Sequence, residues 1–218
     1  MQVGFRSEIG HVRQRNEDAL LVEPEHQVFA VADGMGGHPA GDVASAVAVD
    51  RLRGALTGGA SNASDPGDQL LRALGEAHAA VLAEAATDPA RRGMGTTVVA
   101  ALLGHDAAWV AHVGDSRCYL LPAGQPLQAV TEDHGEGGYL TQALGLDRGI
   151  SPGVLQIPLA PGDRLLLCTD GLTNMVDDAE VESILREAAE PQDACDALTA
   201  AALDAGGIDN VTTIVVAC

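Results

Sequence analysis

The sequence contains no lysine. All twelve basic residues are arginines, set against 31 acidic ones for a net charge of −19. Such a surface repels phosphate backbones and anionic lipid, and no local basic patch interrupts it, so nucleic-acid binding is not expected. Aromatic residues make up only 2%, so the core must be built from Leu, Val, Ile and Ala. Long apolar runs are missing as well. Val98 to Leu103, among the longest, is far short of the ~20 residues that cross a bilayer. The start, Met1-Gln2-Val3-Gly4-Phe5-Arg6, lacks the charged and apolar stretches of a signal peptide. The four cysteines, Cys118, Cys168, Cys195 and Cys218, share no metal-binding or redox spacing and read as free thiols of a reducing compartment. The expectation is a cytoplasmic protein without membrane insertion.

Hydrophobic residues make up 46% of the 218 positions and charged residues 20%. That is the composition of a globular chain, with too much aliphatic content for disorder. No repeat, low-complexity tract or linker divides it. Strand-like runs are read at Gln2 to Arg6, Ala19 to Val22 and Gln27 to Ala32, followed by two helical stretches. Between those helices the segment from Thr57 to Pro66 reads as a loop. The second helix carries Leu70, Leu74, Ala77, Val81, Leu82 and Ala85 at helical spacing, with Asp65 and Pro66 suited to its N-cap and first turn. Strands then follow at Thr96 to Leu103, Ala107 to Val113 and Arg117 to Leu121, joined by turns short enough to predict antiparallel neighbours. A strand at Arg164 to Cys168, helices near Ala179 to Ala189 and Gln192 to Ala205, and a last strand at Val211 to Val216 complete the reading. Strands and helices are segregated in blocks, which predicts an α+β fold with antiparallel sheets.

One local pattern recurs: an aliphatic strand running up to an aspartate with glycine or asparagine beside it. It appears at Val28 to Gly37 around Asp33, at Leu165 to Gly171 around Asp170 and at Ala111 to Ser116 around Asp115. It appears inverted at Gly207-Ile208-Asp209-Asn210, which leads into a strand. A lone Asp-Gly is usually a turn. Four such sites, with Glu17-Asp18 after Asn16, are a different matter. If they converge, each carboxylate pair at ~4 Å repels by roughly 4 kcal/mol at an effective dielectric of 20. Several such pairs would exceed the stability of a domain, about 5–15 kcal/mol. Either they do not converge, or cations hold them. Oxygen-rich ligands select Mg²⁺ or Mn²⁺ over zinc, and the seven histidines show no zinc spacing.

The ordered set of motifs resembles the metal-dependent protein phosphatases, the type-2C-like serine/threonine phosphatases, and in particular their bacterial branch. It runs through Gly10-His11-Val12-Arg13-Gln14-Arg15-Asn16-Glu17-Asp18, Asp33-Gly34-Met35-Gly36-Gly37, Gly41-Asp42-Val43-Ala44-Ser45 and Gly93-Met94-Gly95-Thr96-Thr97. It continues through Val113-Gly114-Asp115-Ser116-Arg117, Thr131-Glu132-Asp133-His134, Ala143-Leu144-Gly145, Cys168-Thr169-Asp170-Gly171-Leu172 and Asp209-Asn210-Val211-Thr212. The resemblance implies a single catalytic domain over residues 1–218, folded as a four-layer αββα sandwich of two antiparallel sheets flanked by helices. It implies that Asp33 bridges two Mn²⁺ or Mg²⁺ ions, with the carbonyl of Gly34 on one of them. Asp170 and Asp209 would complete the first ion's direct ligands. Glu17 and Asp18 would hold the second through waters. Asp115 would take a third, weaker ion shared with Asp170. Arg13 would grip the substrate phosphate, and a hydroxide bridging two cations ~4 Å apart would attack phosphorus in line.

Substrates would be phosphoserine and phosphothreonine proteins of a cognate kinase, and the enzyme a monomer. Two departures stand out. Met35 occupies a position where relatives outside the bacterial branch carry a proton-donating His; His38 is nearby but reads as a surface residue, and His134 as structural. Second, only Gly135-Glu136-Gly137-Gly138-Tyr139 separates Asp133-His134 from Leu140, where relatives carry a long flap. The flap is therefore read as absent or cut to a tight loop, leaving an open cleft with weak sequence preference. Arg117 reads as an ion-pair partner and Trp109 as core. The rival readings are a non-catalytic phosphoprotein-binding module of the same fold and a metallohydrolase of small phosphate esters.

Overall fold

The aliphatic runs become strands buried on both faces, and this explains why they read as continuous rather than alternating. In chain order the elements are β1 (Gln2–Glu8), β2 (Asp18–Glu23), β3 (Val28–Met35), α1 (Gly41–Thr57), α2 (Pro66–Ala85), β4 (Gly95–Thr96), β5 (Val98–Leu103), β6 (Ala107–Val113) and β7 (Arg117–Leu121). There follow β8 (Gln128–Ala129), β9 (Gly135–Glu136), β10 (Tyr139–Leu140), β11 (Gly153–Pro158), β12 (Arg164–Cys168), α3 (Asp170–Thr173), α4 (Asp178–Glu187), α5 (Pro191–Asp204) and β13 (Val211–Ala217). The computed structural model describes residues 1–35, 40–58, 65–136 and 139–218.

Two antiparallel sheets stack face to face. One has the order β1-β13-β12-β7-β8. The other has β11-β6-β5-β3-β2, with β4 pairing β3. Phe29, Val31, Leu165, Leu167, Ile214 and Val216 fill the layer between them. The outward faces are equally apolar. Val28, Ala30 and Ala32 meet α1 and α2, while Leu166, Cys168, Val211 and Val215 meet α4 and α5. The result is the four-layer αββα sandwich that the family resemblance implies, and it agrees with the α+β, antiparallel reading of the residues. Asp65 caps α2 by accepting from the Gly67 and Asp68 N–H groups, a contact usually worth ~1 kcal/mol.

Three departures from the sequence reading bear on the site. The third strand does not end at Ala32. It runs on through Asp33, because Gly34 and Met35 pair with Thr96 and Gly95. The run Thr96 to Leu103 is broken at Thr97 into β4 and β5. Finally, Gly114-Asp115-Ser116 does not close a hairpin. β6 and β7 lie in different sheets, so the turn crosses the sandwich and carries Asp115 to the end of both sheets. Gly114 makes this crossing with φ +107, and a Cβ there would stand 2.6 Å from Thr97 Cγ2. Strand β11 escaped the sequence reading: it is a short edge strand without charge, paired among the described residues with β6 alone. Of the loop read between Thr57 and Pro66, residues 59–64 lie outside the described residues.

Candidate active site

The acidic residues sit where strands of both sheets end on the same side. Asp18 faces Asp33 across the β2–β3 pair. Asp170 opens α3 directly after β12, and Asp209 precedes β13. Arg13, Glu17, Asp33, Gly34, Asp115, Asp170 and Asp209, with Met35, Thr97 and Leu140, line one cavity of about 230 Å³. Asp18 is not on its wall. It lies behind, where its Oδ2 accepts from the hydroxyls of Thr169 (2.9 Å) and Thr212 (2.6 Å).

Backbone contacts fix the walls. The Asp33 N–H donates to Thr97 Oγ1 at 3.0 Å, and the Asp33 carbonyl accepts from the Thr97 N–H and the Thr96 hydroxyl. Thr97 Oγ1 also lies 2.7 Å from Ser116 Oγ, so one threonine ties the Asp33 strand to the turn carrying Asp115. Asn174 Nδ2 donates to Asp170 Oδ2 at 3.0 Å. Gly34 lies so close to α1 that a Cβ on it would stand 2.1 Å from the Gly41 carbonyl oxygen. Any side chain there would push the helix off the site.

The electrostatics show the strain of grouping these acids. Burial, then the charges of Asp18 and Asp170, hold the Asp33 carboxyl well above the ordinary aspartate range, and it shares a hydrogen bond with Asp170. Asp18 is pushed up to about 7 by burial, against the pull of its two threonine hydroxyls. Asp115 is pushed up to about 6 by burial and then by Asp170. Glu17 is raised by burial and then by Asp42. Arg13 Nη2 donates to Asp209 Oδ2 at 2.6 Å, and the hydrogen bond and charge of Asp209 raise the guanidinium further.

As the side chains stand, no three ligating groups among the described residues meet in a ready coordination shell. Asp209 is engaged by Arg13, Asp18 by its threonines, and Asp33 by Asp170. The donor set nevertheless fits a hard divalent cation. Asp18 Oδ1 and Asp170 Oδ1 are both buried with no hydrogen-bond partner among the described residues, and a buried acceptor without a donor is costly. All the surrounding ligands are oxygens, which suits Mn²⁺ or Mg²⁺.

Several residues of this site carry no role in the sequence reading. Asn210, Thr97, Thr169 and Thr212 stand within the quoted motifs, and only their hydrogen bonds reveal what they do. Leu140 reaches the cavity because the flap survives as a minimal hairpin: β9 and β10 pair Tyr139 with Glu136 and Leu140 with Gly135, leaving Tyr139 80% exposed. Its tip, residues 137–138, and His38 lie outside the described residues. His134 stacks on His112 with ring centroids 4.5 Å apart and accepts from the Gly114 N–H through Nδ1. Arg117 binds Asp133 through two hydrogen bonds. Trp109 packs at the margin of the helix-facing core. Burial raises the thiols, Cys168 to about 12 and Cys195 to about 11, so neither supplies a thiolate.

Comparison with known proteins agrees with this geometry. The family model described as protein phosphatase 2C matches residues 9–205. The serine/threonine phosphatase stp of Listeria innocua is 35% identical over 99% of this chain and 95% of its own length. That alignment runs over 241 residues against 218 here, so this chain lacks a residue at 23 or more aligned positions. The crystal structure of the catalytic domain of the serine/threonine protein phosphatase PstP in complex with two manganese ions superposes with a TM-score of 0.88 at 33% identity, covering 98% of this chain and 96% of that one. A crystal structure of a bacterial serine phosphatase reaches 0.90 at 31% identity, covering 100% and 97%. No helix among the described residues is long and apolar enough to cross a membrane.

Proposed function

The chain belongs to the protein phosphatase 2C family and is a metal-dependent serine/threonine protein phosphatase, and on that premise we propose how its own residues divide the work. Asp33, Asp170 and Asp209 would hold the first divalent cation, with the Gly34 carbonyl on one of the two ions. Asp33 would also reach the second, which Glu17 and Asp18 would hold mainly through waters. Asp115 and Asp170 offer a weaker third position. When bound, two such ions supply an acidified water as the nucleophile and positive charge for the phosphoryl oxygens. Arg13 binds those oxygens; its planar fork suits phosphate. It stands beside Asp209 at 2.6 Å, so phosphate meets the guanidinium and the metal face together. Met35, on the cavity wall, has no proton to give, and the leaving alcohol takes its proton from water in the cleft. The observation that carries this reading is a single 230 Å³ cavity lined by five carboxylate residues and Arg13, with the partnerless oxygen of Asp170 beside them.

Phosphorylated proteins are the substrates. We assign them further to a cognate serine/threonine kinase, the enzyme to the cytosol, and its working form to the monomer. A net charge of −19 leaves nucleic acid a poor partner. The direct test is hydrolysis of p-nitrophenyl phosphate and of a phosphoprotein with and without added Mn²⁺. Both are expected to need the metal, and full turnover in EDTA would refute the scheme.

One variant and one substrate panel refine it. Arg13→Ala is expected to lower kcat/KM for p-nitrophenyl phosphate by about 10²-fold, the usual effect of removing one charge-stabilising donor. A change under threefold would remove Arg13 from the phosphate site. With Leu140 of the β9–β10 hairpin the one flap residue on the cavity wall among the described residues, a panel of phosphopeptides differing around the phosphoresidue is expected to show kcat/KM values within about tenfold, since one apolar contact is worth only ~1–3 kcal/mol. Discrimination over several orders of magnitude would mean that other surfaces read the peptide.

A further inference from the structure

Arg13 lies in a segment with little structure of its own. Between the end of β1 and the start of β2 the chain runs from Ile9 to Glu17 without helix or strand. Among the described residues, the backbones of Val12, Arg13 and Gln14 make no hydrogen bond to the protein. Half of the Arg13 side chain is exposed. Something else has to hold it over the cavity.

The Asn210 side chain does so from beneath. It is 4% exposed and spends both amide protons and its oxygen on this one segment. Its Nδ2 donates to the Ile9 carbonyl and to the Arg15 carbonyl, both at 2.9 Å, and its Oδ1 accepts from the Glu17 N–H at 2.8 Å. These bonds staple both ends of the loop, with Arg13 in the middle. A fourth tie, from the His11 N–H to the Gly207 carbonyl at 2.7 Å, lies on the same side. The anchor is itself rigid: Asn210 directly precedes β13, and its N–H donates to Asp209 Oδ1 at 2.8 Å. Beyond the staple, the Glu17 carbonyl accepts from the Gly34 N–H and the Ser45 hydroxyl, which joins the loop to β3 and α1.

We propose that Asn210 is the positioning residue of the phosphate site: it sets the distance between Arg13 and Asp209, and so the register between the phosphate grip and the metal face. This rests on the reading of Arg13 given above. Only an amide can fill the place. A carboxylate keeps the acceptor for Glu17 but has no N–H for the two carbonyls, and a methyl group keeps neither. A buried carbonyl that loses its donor is left uncompensated, so the loop moves to water and takes Arg13 with it.

The test uses Asn210→Ala, Asn210→Asp, Arg13→Ala and the double variant Arg13→Ala/Asn210→Ala, each in two measurements. The first is hydrogen–deuterium exchange on the metal-free proteins, which does not depend on catalysis. Asn210→Ala and Asn210→Asp are expected to speed exchange of the His11 and Glu17 N–H groups, the hydrogen-bonded amides of this loop, by tenfold or more while β6 and β12 stay protected. Unchanged exchange in that segment overturns the staple, and so does loss of protection throughout the chain in both variants. The second is competitive inhibition of p-nitrophenyl phosphate hydrolysis by inorganic phosphate in saturating Mn²⁺. Asn210→Ala is expected to raise the phosphate Ki about tenfold in the native background and less than twofold in the Arg13→Ala background, because the staple acts through the arginine. Equal effects in both backgrounds would overturn the positioning role while leaving the phosphatase reading intact. A native chain inert toward p-nitrophenyl phosphate would instead refute that reading and the positioning role built on it, whatever the exchange result.

Discussion

Asp33→Asn is expected to lose on the order of 10³-fold or more in kcat/KM, because one carboxylate then fails both cations that activate the nucleophile. Asp209→Asn should lose a comparable amount. What distinguishes a metal ligand from a merely structural aspartate is the accompanying stability. Without metal, Asp33 is held well above the ordinary aspartate range by burial and by its acidic neighbours. The folded state therefore keeps a proton that the unfolded chain releases near pH 4. Between those two values the native state binds more protons, so its stability falls as pH rises. Asparagine has nothing to release. Metal-free Asp33→Asn should match the native protein near pH 4 and melt several degrees higher at pH 8. A variant that is inactive and also less stable at pH 8 would point to a structural aspartate.

Manganese should reverse the pH trend. Asp115 and Asp18 are pushed up to about 6 and about 7, in each case by burial first. In the metal-free protein these raised carboxyls give a stability that is intact below about pH 4 and lost as pH climbs through 6 and 7. Together with Asp33 this corresponds to a fall in Tm on the order of 10 °C for a chain of this size. Cations replace the protons, so metal affinity rises with pH. At a hundredfold excess over Kd each site adds about 2.7 kcal/mol, or roughly 5–10 °C. Thermal melts at pH 5, 6.5 and 8, with EDTA and with Mn²⁺, should show the gap between the two curves widening upward in pH. A constant gap would mean that the raised carboxyls are not the ligands.

Much of this was legible in the sequence. Aliphatic runs without charge mark strands buried on both faces, and the Asp65-Pro66 start of α2 was readable from capping chemistry alone. The repeated strand-then-aspartate pattern identified Asp33, Asp115, Asp170 and Asp209, which line one cavity. What stayed hidden depends on contacts between distant parts of the chain. A three-residue turn such as Gly114-Asp115-Ser116 looks the same whether it closes a hairpin or crosses between sheets, so the sequence reading puts Asp115 on the wrong kind of turn. Asp18 reads like Glu17 beside it, yet it opens β2 directly opposite Asp33 and is buried behind the cavity wall, where Thr169 and Thr212 donate to its Oδ2. The role of Asn210 lies in three hydrogen bonds to residues 193 to 201 positions earlier, and no local pattern reports such partners.

The most direct test is a calorimetric titration of the metal-free protein with Mn²⁺ at pH 8, run in two buffers of different ionisation enthalpy. At least two ions should bind, with release of protons from the raised carboxyls, and Asp33→Asn should lose one or both sites together with the proton release. A native protein that takes up no manganese, or that takes it up equally well after Asp33→Asn, would contradict the claim that cations hold these carboxylates together.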